Sequence, residues 1–118
     1  MLLICYPKCS TCKKAQKWLD EKGISYDYRD IKIDNPSRGE LAEWYAASGK
    51  PLRKFFNTSG MLYRDMGLKD KLGNMTDDEM LDLLATDGML VKRPLVIDDG
   101  GVLIGFREAE WEDMLCRK

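Results

Sequence analysis

The chain has 118 residues, enough for one ordinary domain and no second core. Apolar residues make up 44% and charged residues 33%, the balance of a folded globular protein and not of a disordered one. Nineteen basic against twenty acidic residues leave a net charge of −1, which gives no support to bulk electrostatic binding of nucleic acid or a membrane surface and leaves open only a local patch. The absence of histidine removes Ser-His-Asp and Cys-His catalysis, imidazole metal ligation and a histidine pH switch together. Chemistry must then come from cysteine, carboxylate, lysine, arginine or tyrosine, and the four cysteines are the first candidates. No apolar run approaches the roughly 18 residues of a membrane span. Met1–Lys8 has neither a basic n-region nor a small-residue cleavage site, so no signal peptide is expected. A cytoplasmic location, with thiols kept reduced, is the expectation.

Met1–Tyr6 is a short apolar run bounded by Pro7 and reads as a buried strand. Ser10–Lys22 is helical in pattern, with Cys12, Ala15, Trp18 and Leu19 on one stripe and Gly23 suited to end it. Ile24–Ile33 alternates and predicts a second strand, parallel to the first through a β-α-β connection. After the break at Asn35-Pro36, Ser37-Arg38-Gly39-Glu40 is a capping box that opens a helix through Leu41, Trp44 and Tyr45, closed by Gly49, Lys50 and Pro51. Leu52–Leu72 mixes small apolar clusters with glycines and charges, the pattern of short helices and turns. Thr76-Asp77-Asp78-Glu79 is a second capping box, starting a helix through Met80, Leu83 and Leu84 that Gly88 is expected to terminate. Pro94–Asp98 and Val102–Gly105 predict a hairpin around Asp99-Gly100-Gly101. Arg107–Cys116 predicts a last helix carrying Trp111, Met114 and Leu115. The order β-α-β, a helical insertion over about 37–90, then β-β-α predicts one α/β domain over 1–118 with a mixed four-stranded, thioredoxin-like sheet.

Cys9-Ser10-Thr11-Cys12 follows a strand and opens a helix. A thiolate at that place faces free backbone N–H groups and the positive end of the helix dipole, and Lys8, Lys13 and Lys14 add positive charge. Cys9 is expected as the exposed nucleophile, and Cys12 as the higher-titrating thiol that resolves an adduct on Cys9 into a Cys9–Cys12 disulfide. The alternative is a pair of ordinary, partly buried cysteines. Cys5, Cys9 and Cys12 also have the Cys-x3-Cys-x2-Cys spacing of iron–sulfur radical enzymes, which need a far larger barrel. Zinc would need a fourth ligand, and Cys116 is the one cysteine left, so no metal is expected. Cys5 and Cys116 read as packing residues, with Cys5 alternatively a further exchange partner.

Arg93-Pro94 opens the third strand, where thioredoxin-like folds carry a cis-proline against the active-site cysteine. Arg93 would then project beside Cys9 and hold an anion with a planar fork of donors. Its alternative is a solvated charge at a strand start. Arg53 and Arg107 are further candidates, Arg107 alternatively an ordinary surface residue of a first helical turn.

The chain resembles the ArsC/Spx family, the arsenate-reductase-like branch of the thioredoxin fold. The resemblance rests on Tyr6-Pro7-Lys8-Cys9-Ser10-Thr11-Cys12-Lys13-Lys14-Ala15, Trp18-Leu19, Leu52-Arg53-Lys54, Tyr63–Leu68 and Lys92-Arg93-Pro94-Leu95-Val96. It implies a nucleophile at Cys9 that attacks arsenate, and an arginine triad in which Arg53 is the first member and Arg93 the second. Phe106 stands at the third arginine's place, with Arg107 one residue later, and Cys5-Tyr6 stands where arsenate reductases carry His-Asn. Ser10, Thr11, Pro94 and Arg107 complete the implied substrate-binding set. Cys12 resembles the second cysteine of Spx-like regulators.

The reading that follows is a thiol-disulfide oxidoreductase of arsenate reductase type, acting on a small oxyanion or a disulfide through Cys9, Cys12, Arg93 and Arg53. It needs no bound cofactor, and thioredoxin, glutaredoxin or glutathione would be the co-substrate. The alternative is an Spx-like redox-sensing regulator that contacts the α-subunit of RNA polymerase, without direct nucleic-acid or membrane binding.

Overall fold

Four short strands, β1 (Leu2–Cys5), β2 (Asp27–Asp30), β3 (Leu95–Asp98) and β4 (Gly101–Ile104), form one sheet in the order β2-β1-β3-β4 in the computed structural model, which describes residues 1–116. The chain divides into two compact units: Met1–Asp30 together with the segment from Arg93 onward, and Ile31–Lys92.

The first unit holds the whole sheet. β1 pairs parallel with β2 and antiparallel with β3. β3 pairs antiparallel with β4. Leu3, Ile4, Cys5, Leu95 and Val96 are fully buried, as apolar residues of two central strands must be. This is the mixed, thioredoxin-like sheet expected from the element order.

α1 (Ser10–Glu21) turns Cys12, Ala15, Trp18 and Leu19 inward. Gly23, at φ +69°, lets the chain leave it. Its N–H donates to the Asp20 carbonyl at 3.1 Å, and the Ile24 N–H donates to Leu19 at 3.0 Å, a Schellman exit. The last helix of the chain, α6 (Glu108–Leu115), buries Trp111, whose indole N–H donates to the Gly105 carbonyl at 3.0 Å. Trp18 and Phe106 meet the Trp111 ring edge-on, with centroids 6.0 and 4.9 Å away.

Most elements of this unit begin or end one residue from their expected bounds, and two differences have a clear physical reason. β2 is four residues long, not Ile24–Ile33, because it lies at the sheet edge against β1 and the register closes at Cys5↔Asp30. Beyond it the chain turns, and Ile33 is 85% exposed. The hairpin loop is Asp99-Gly100 alone, since Gly101 already pairs with Asp98.

The second unit carries α2 (Arg38–Ser48), α3 (Met61–Asp65), α4 (Leu68–Lys71) and α5 (Asp77–Leu84), with 3-10 turns between them. Both capping boxes form. Ser37 accepts from the Glu40 N–H at 3.1 Å and Thr76 from the Glu79 N–H at 3.2 Å, and each glutamate reaches back to its cap N–H. Arg38 ties α2 to α5 through Asp78 and Asp82, at 2.9 and 2.5 Å. Tyr45 donates to Asp77 at 3.0 Å. A β-bridge joins Phe56 and Val91, both buried.

Gly88 does not terminate α5, which ends four residues earlier with Ala85 as its cap. Gly88 instead begins a 3-10 turn capped by Asp87 and passes so close to Ile31 that an added Cβ would strike the Ile31 carbonyl. Its role is close backbone approach and not a helix stop.

Candidate functional site

β1 ends at Cys5, and the chain reverses through Tyr6-Pro7-Lys8 before α1 begins. The Cys9 N–H donates to the Tyr6 carbonyl at 3.0 Å, closing the turn, and the Cys9 carbonyl accepts from Lys13 at 3.1 Å as the first bond of the helix. Cys9 is therefore the N-cap residue, in an extended conformation (φ −86°, ψ 120°) and half-buried. No side chain caps this end and no acid sits in the first turn, so the positive end of the α1 dipole faces the cysteine loop uncompensated. Ser10 and Thr11 are exposed on that first turn, and Cys12 points into the core at 1% exposure.

Three sulfurs meet here. Cys12 accepts hydrogen bonds from the Cys5 thiol, from the Tyr6 backbone N–H and from the Cys9 thiol. Those donors, led by Cys5, outweigh the burial that opposes ionisation, and with the Arg93 charge they bring Cys12 down to about 6. Cys5 is driven the other way, first by its bond to Cys12, then by burial and by the neighbouring sulfur charges. Of the two, Cys12 is thus the thiol that ionises more readily and Cys5 the one that keeps its proton. The expectation that Cys12 would titrate high is reversed, because three donors converge on a sulfur that sequence spacing alone shows only as buried. All four cysteines are free thiols, and Cys116 is exposed at the end of α6. Among the described residues, no group of three His, Cys, Asp or Glu side chains is arranged to hold a metal ion.

Arg93 precedes a cis peptide bond to Pro94, which is buried. The Arg93 guanidinium lies 5.3 Å over the centre of the Tyr6 ring. Its positive charge acts on both Cys12 and Cys5. The Pro94 carbonyl accepts from the Gly105 N–H at 2.8 Å, which extends the hairpin and anchors the strand start.

Cys9, Ser10, Thr11, Cys12, Arg93 and Pro94 therefore all belong to the first unit, at the ends of β1, α1 and β3. Arg53 belongs to the second unit, exposed on the 3-10 turn Leu52–Phe55. Arg107 is exposed as the N-cap residue of α6, one place before the first turn expected for it from sequence. Phe106, at the third arginine's place, packs edge-on against Trp18 and Trp111. Cys5 and Tyr6 also belong to the site, and their signal in the sequence is positional: the last residue of a strand and the first turn of the next helix return to one point.

A mixed four-stranded sheet with a strand–CxxC–helix and an Arg–cis-Pro beside it defines a thioredoxin-like fold. Residues 5–114 match the ArsC family, and the chain belongs to it. Among its relatives, the protein YusI of Bacillus subtilis is 53% identical over 108 residues, 92% of each chain. The regulatory protein MgsR of Bacillus subtilis is 27% identical, over 89% of this chain and 82% of its own length. The crystal structure of a possible arsenate reductase from Streptococcus mutans superposes with a TM-score of 0.86 at 49% identity, covering 95% of this chain and 94% of that one.

Proposed function

We propose that this ArsC-family chain is a thiol oxidoreductase of arsenate reductase type, reducing a small oxyanion or a disulfide through Cys9 and Cys12. The observation that carries the reading is the division of labour between two bonded thiols. Cys9 is half-exposed at a helix N-terminus, whereas Cys12 is buried, ionised near neutral pH and hydrogen-bonded to Cys9. The Cys12 thiolate takes the Cys9 proton as Cys9 attacks the substrate. With an oxyanion, a Cys9–substrate bond forms and the displaced hydroxide leaves as water with the proton held by Cys12. Cys12, ionised again, attacks the Cys9 sulfur. The two thiols supply two electrons, the reduced substrate departs, and a Cys9–Cys12 disulfide remains. Arg93 stabilises the negative charge that builds up on the substrate. Arg107, Ser10, Thr11 and Pro94 enter as binding residues on the family correspondence, and Arg53 is the residue of the second unit that matches the family's first arginine. A dithiol or thiol reductant of the thioredoxin, glutaredoxin or glutathione class, in a reducing compartment, regenerates the pair.

The test is adduct trapping. The Cys12→Ser variant, mixed with glutathione disulfide, should accumulate one glutathione on Cys9, while the parent should form an internal disulfide through Cys12. A Cys12→Ser protein that stays unmodified at Cys9 overturns the reading.

A second reading has an observation of its own, the likeness to MgsR, which is named a regulatory protein. On that reading the CxxC is a redox sensor, and the helical segment Leu41–Leu72 presents a surface to the α-subunit of RNA polymerase. Retention of the polymerase's α carboxy-terminal domain by the chain in a pull-down, without turnover of oxyanion or disulfide, would favour it.

A further inference from the structure

We propose that Cys5 is a third working thiol, which takes over the bond to Cys12 by exchange and leaves a buried Cys5–Cys12 disulfide and a regenerated Cys9 thiol. The inference rests on the reading of Cys9 and Cys12 given above and extends it by one step. Cys12 is the sulfur that both neighbours touch, with the Cys5 and Cys9 thiols each donating to it. Cys5 and Cys12 lie in one core cluster at 0% and 1% exposure, and Cys9 packs against that cluster from its partly exposed position. The three sulfurs thus run from the accessible loop inward.

The step balances. The Cys5 sulfur attacks Cys12, the Cys9–Cys12 bond breaks as the Cys5–Cys12 bond forms, and the Cys5 proton passes to the departing Cys9 sulfur. No electrons are gained or lost, since the oxidising equivalents entered with the substrate, a small disulfide or an oxyanion. One feature favours the inward direction. While Cys12 is a thiolate, its hydrogen bond and its charge hold the proton on Cys5; once Cys12 is in a disulfide both are gone, which leaves burial holding the proton against the Arg93 charge that draws it off. The functional consequence is that Cys9 becomes free to meet a second oxidant while the first equivalent is stored out of reach of solvent.

The experiment uses the full chain in a Cys116→Ser background, so that the exposed cysteine takes no label. The protein is treated with excess glutathione disulfide, and its intact mass and disulfide-linked peptides are read without reduction. The expected result is one internal disulfide linking Cys5 to Cys12, plus one glutathione on Cys9. Introducing Cys5→Ala should abolish the stable glutathione and return the link to Cys9–Cys12. Because peptide mapping of the parent reads the linkage directly, the inference stays falsifiable even if Cys5→Ala fails to fold. A Cys9–Cys12 link with Cys5 reduced and no glutathione overturns the relay and leaves the oxidoreductase reading standing. Absence of any internal disulfide overturns both.

Discussion

Cys5 ends β1, Cys12 sits in the first turn of α1, and the Cys5 thiol donates its hydrogen bond to the Cys12 sulfur. The two groups titrate in opposite directions from the ordinary value of 9.0, Cys12 falling to about 6 and Cys5 rising. Between about pH 6 and 9 the folded chain has released the Cys12 proton while the unfolded chain has not, so stability rises with pH across that window. Above 9 the unfolded chain loses the Cys5 proton that the folded chain keeps, so stability falls. Denaturant midpoints over this range, for the parent minus a Cys5→Ala/Cys12→Ala variant, should show a rise followed by a decline. A flat difference contradicts the assignment.

The same bond predicts a thiolate signal. Ultraviolet absorbance near the thiolate band should report one group titrating near pH 6 in the parent. Cys5→Ala should move that midpoint upward, since Cys5 is the leading donor, and Cys12→Ser should remove it. An unchanged midpoint in Cys5→Ala would show that Cys5 does not govern Cys12.

Arg93 predicts a separation of anion chemistry from disulfide chemistry. A guanidinium stacked on Tyr6 can hold two oxygens at once, and lysine offers only a point charge. Arg93→Lys should lower oxyanion reduction by about a hundredfold or more, the usual cost of losing a preorganised donor. Exchange with a small disulfide should fall much less, because its developing charge sits on sulfur at the α1 terminus. Phosphate titrations and the two rate assays on both proteins make the comparison. Equal anion binding by the variant contradicts the role.

Much of the fold is legible in the sequence where the determinants are local. The Ser37 and Thr76 capping boxes and the Gly23 exit are hydrogen-bond patterns that a few adjacent residues complete, and all three form. β2 is shorter than its pattern predicts because alternation through Tyr26 and Tyr28 carries no information about the length of β1, which fixes where pairing stops. The role of Gly88 is hidden in the sequence because its constraint comes from Ile31, 57 positions away along the chain. At the site, motif and element order single out Cys9, Cys12, Arg93 and Pro94. They do not reveal the ionisation of Cys12, which depends on Cys5 and Tyr6 approaching in space.

Gly88 supplies a prediction for the second unit. Gly88→Ala places a Cβ against the Ile31 carbonyl, backbone that cannot swing aside. Overpacking of this kind costs about 1–3 kcal/mol, readable as a lower denaturant midpoint. A variant as stable as the parent would show that the 31–92 unit tolerates a shift there.

The central claim, that Cys9 and Cys12 reduce a substrate at a thioredoxin-like site, is tested most directly by a coupled turnover assay. Purified chain is supplied with arsenate or glutathione disulfide, a complete glutaredoxin or thioredoxin recycling system and NADPH, and nicotinamide oxidation is followed. The account predicts oxidation that scales with the chain, vanishes in Cys9→Ser and falls sharply in Cys12→Ser. NADPH consumption no greater than the chain-free background with either substrate class, or undiminished in Cys9→Ser, would contradict it.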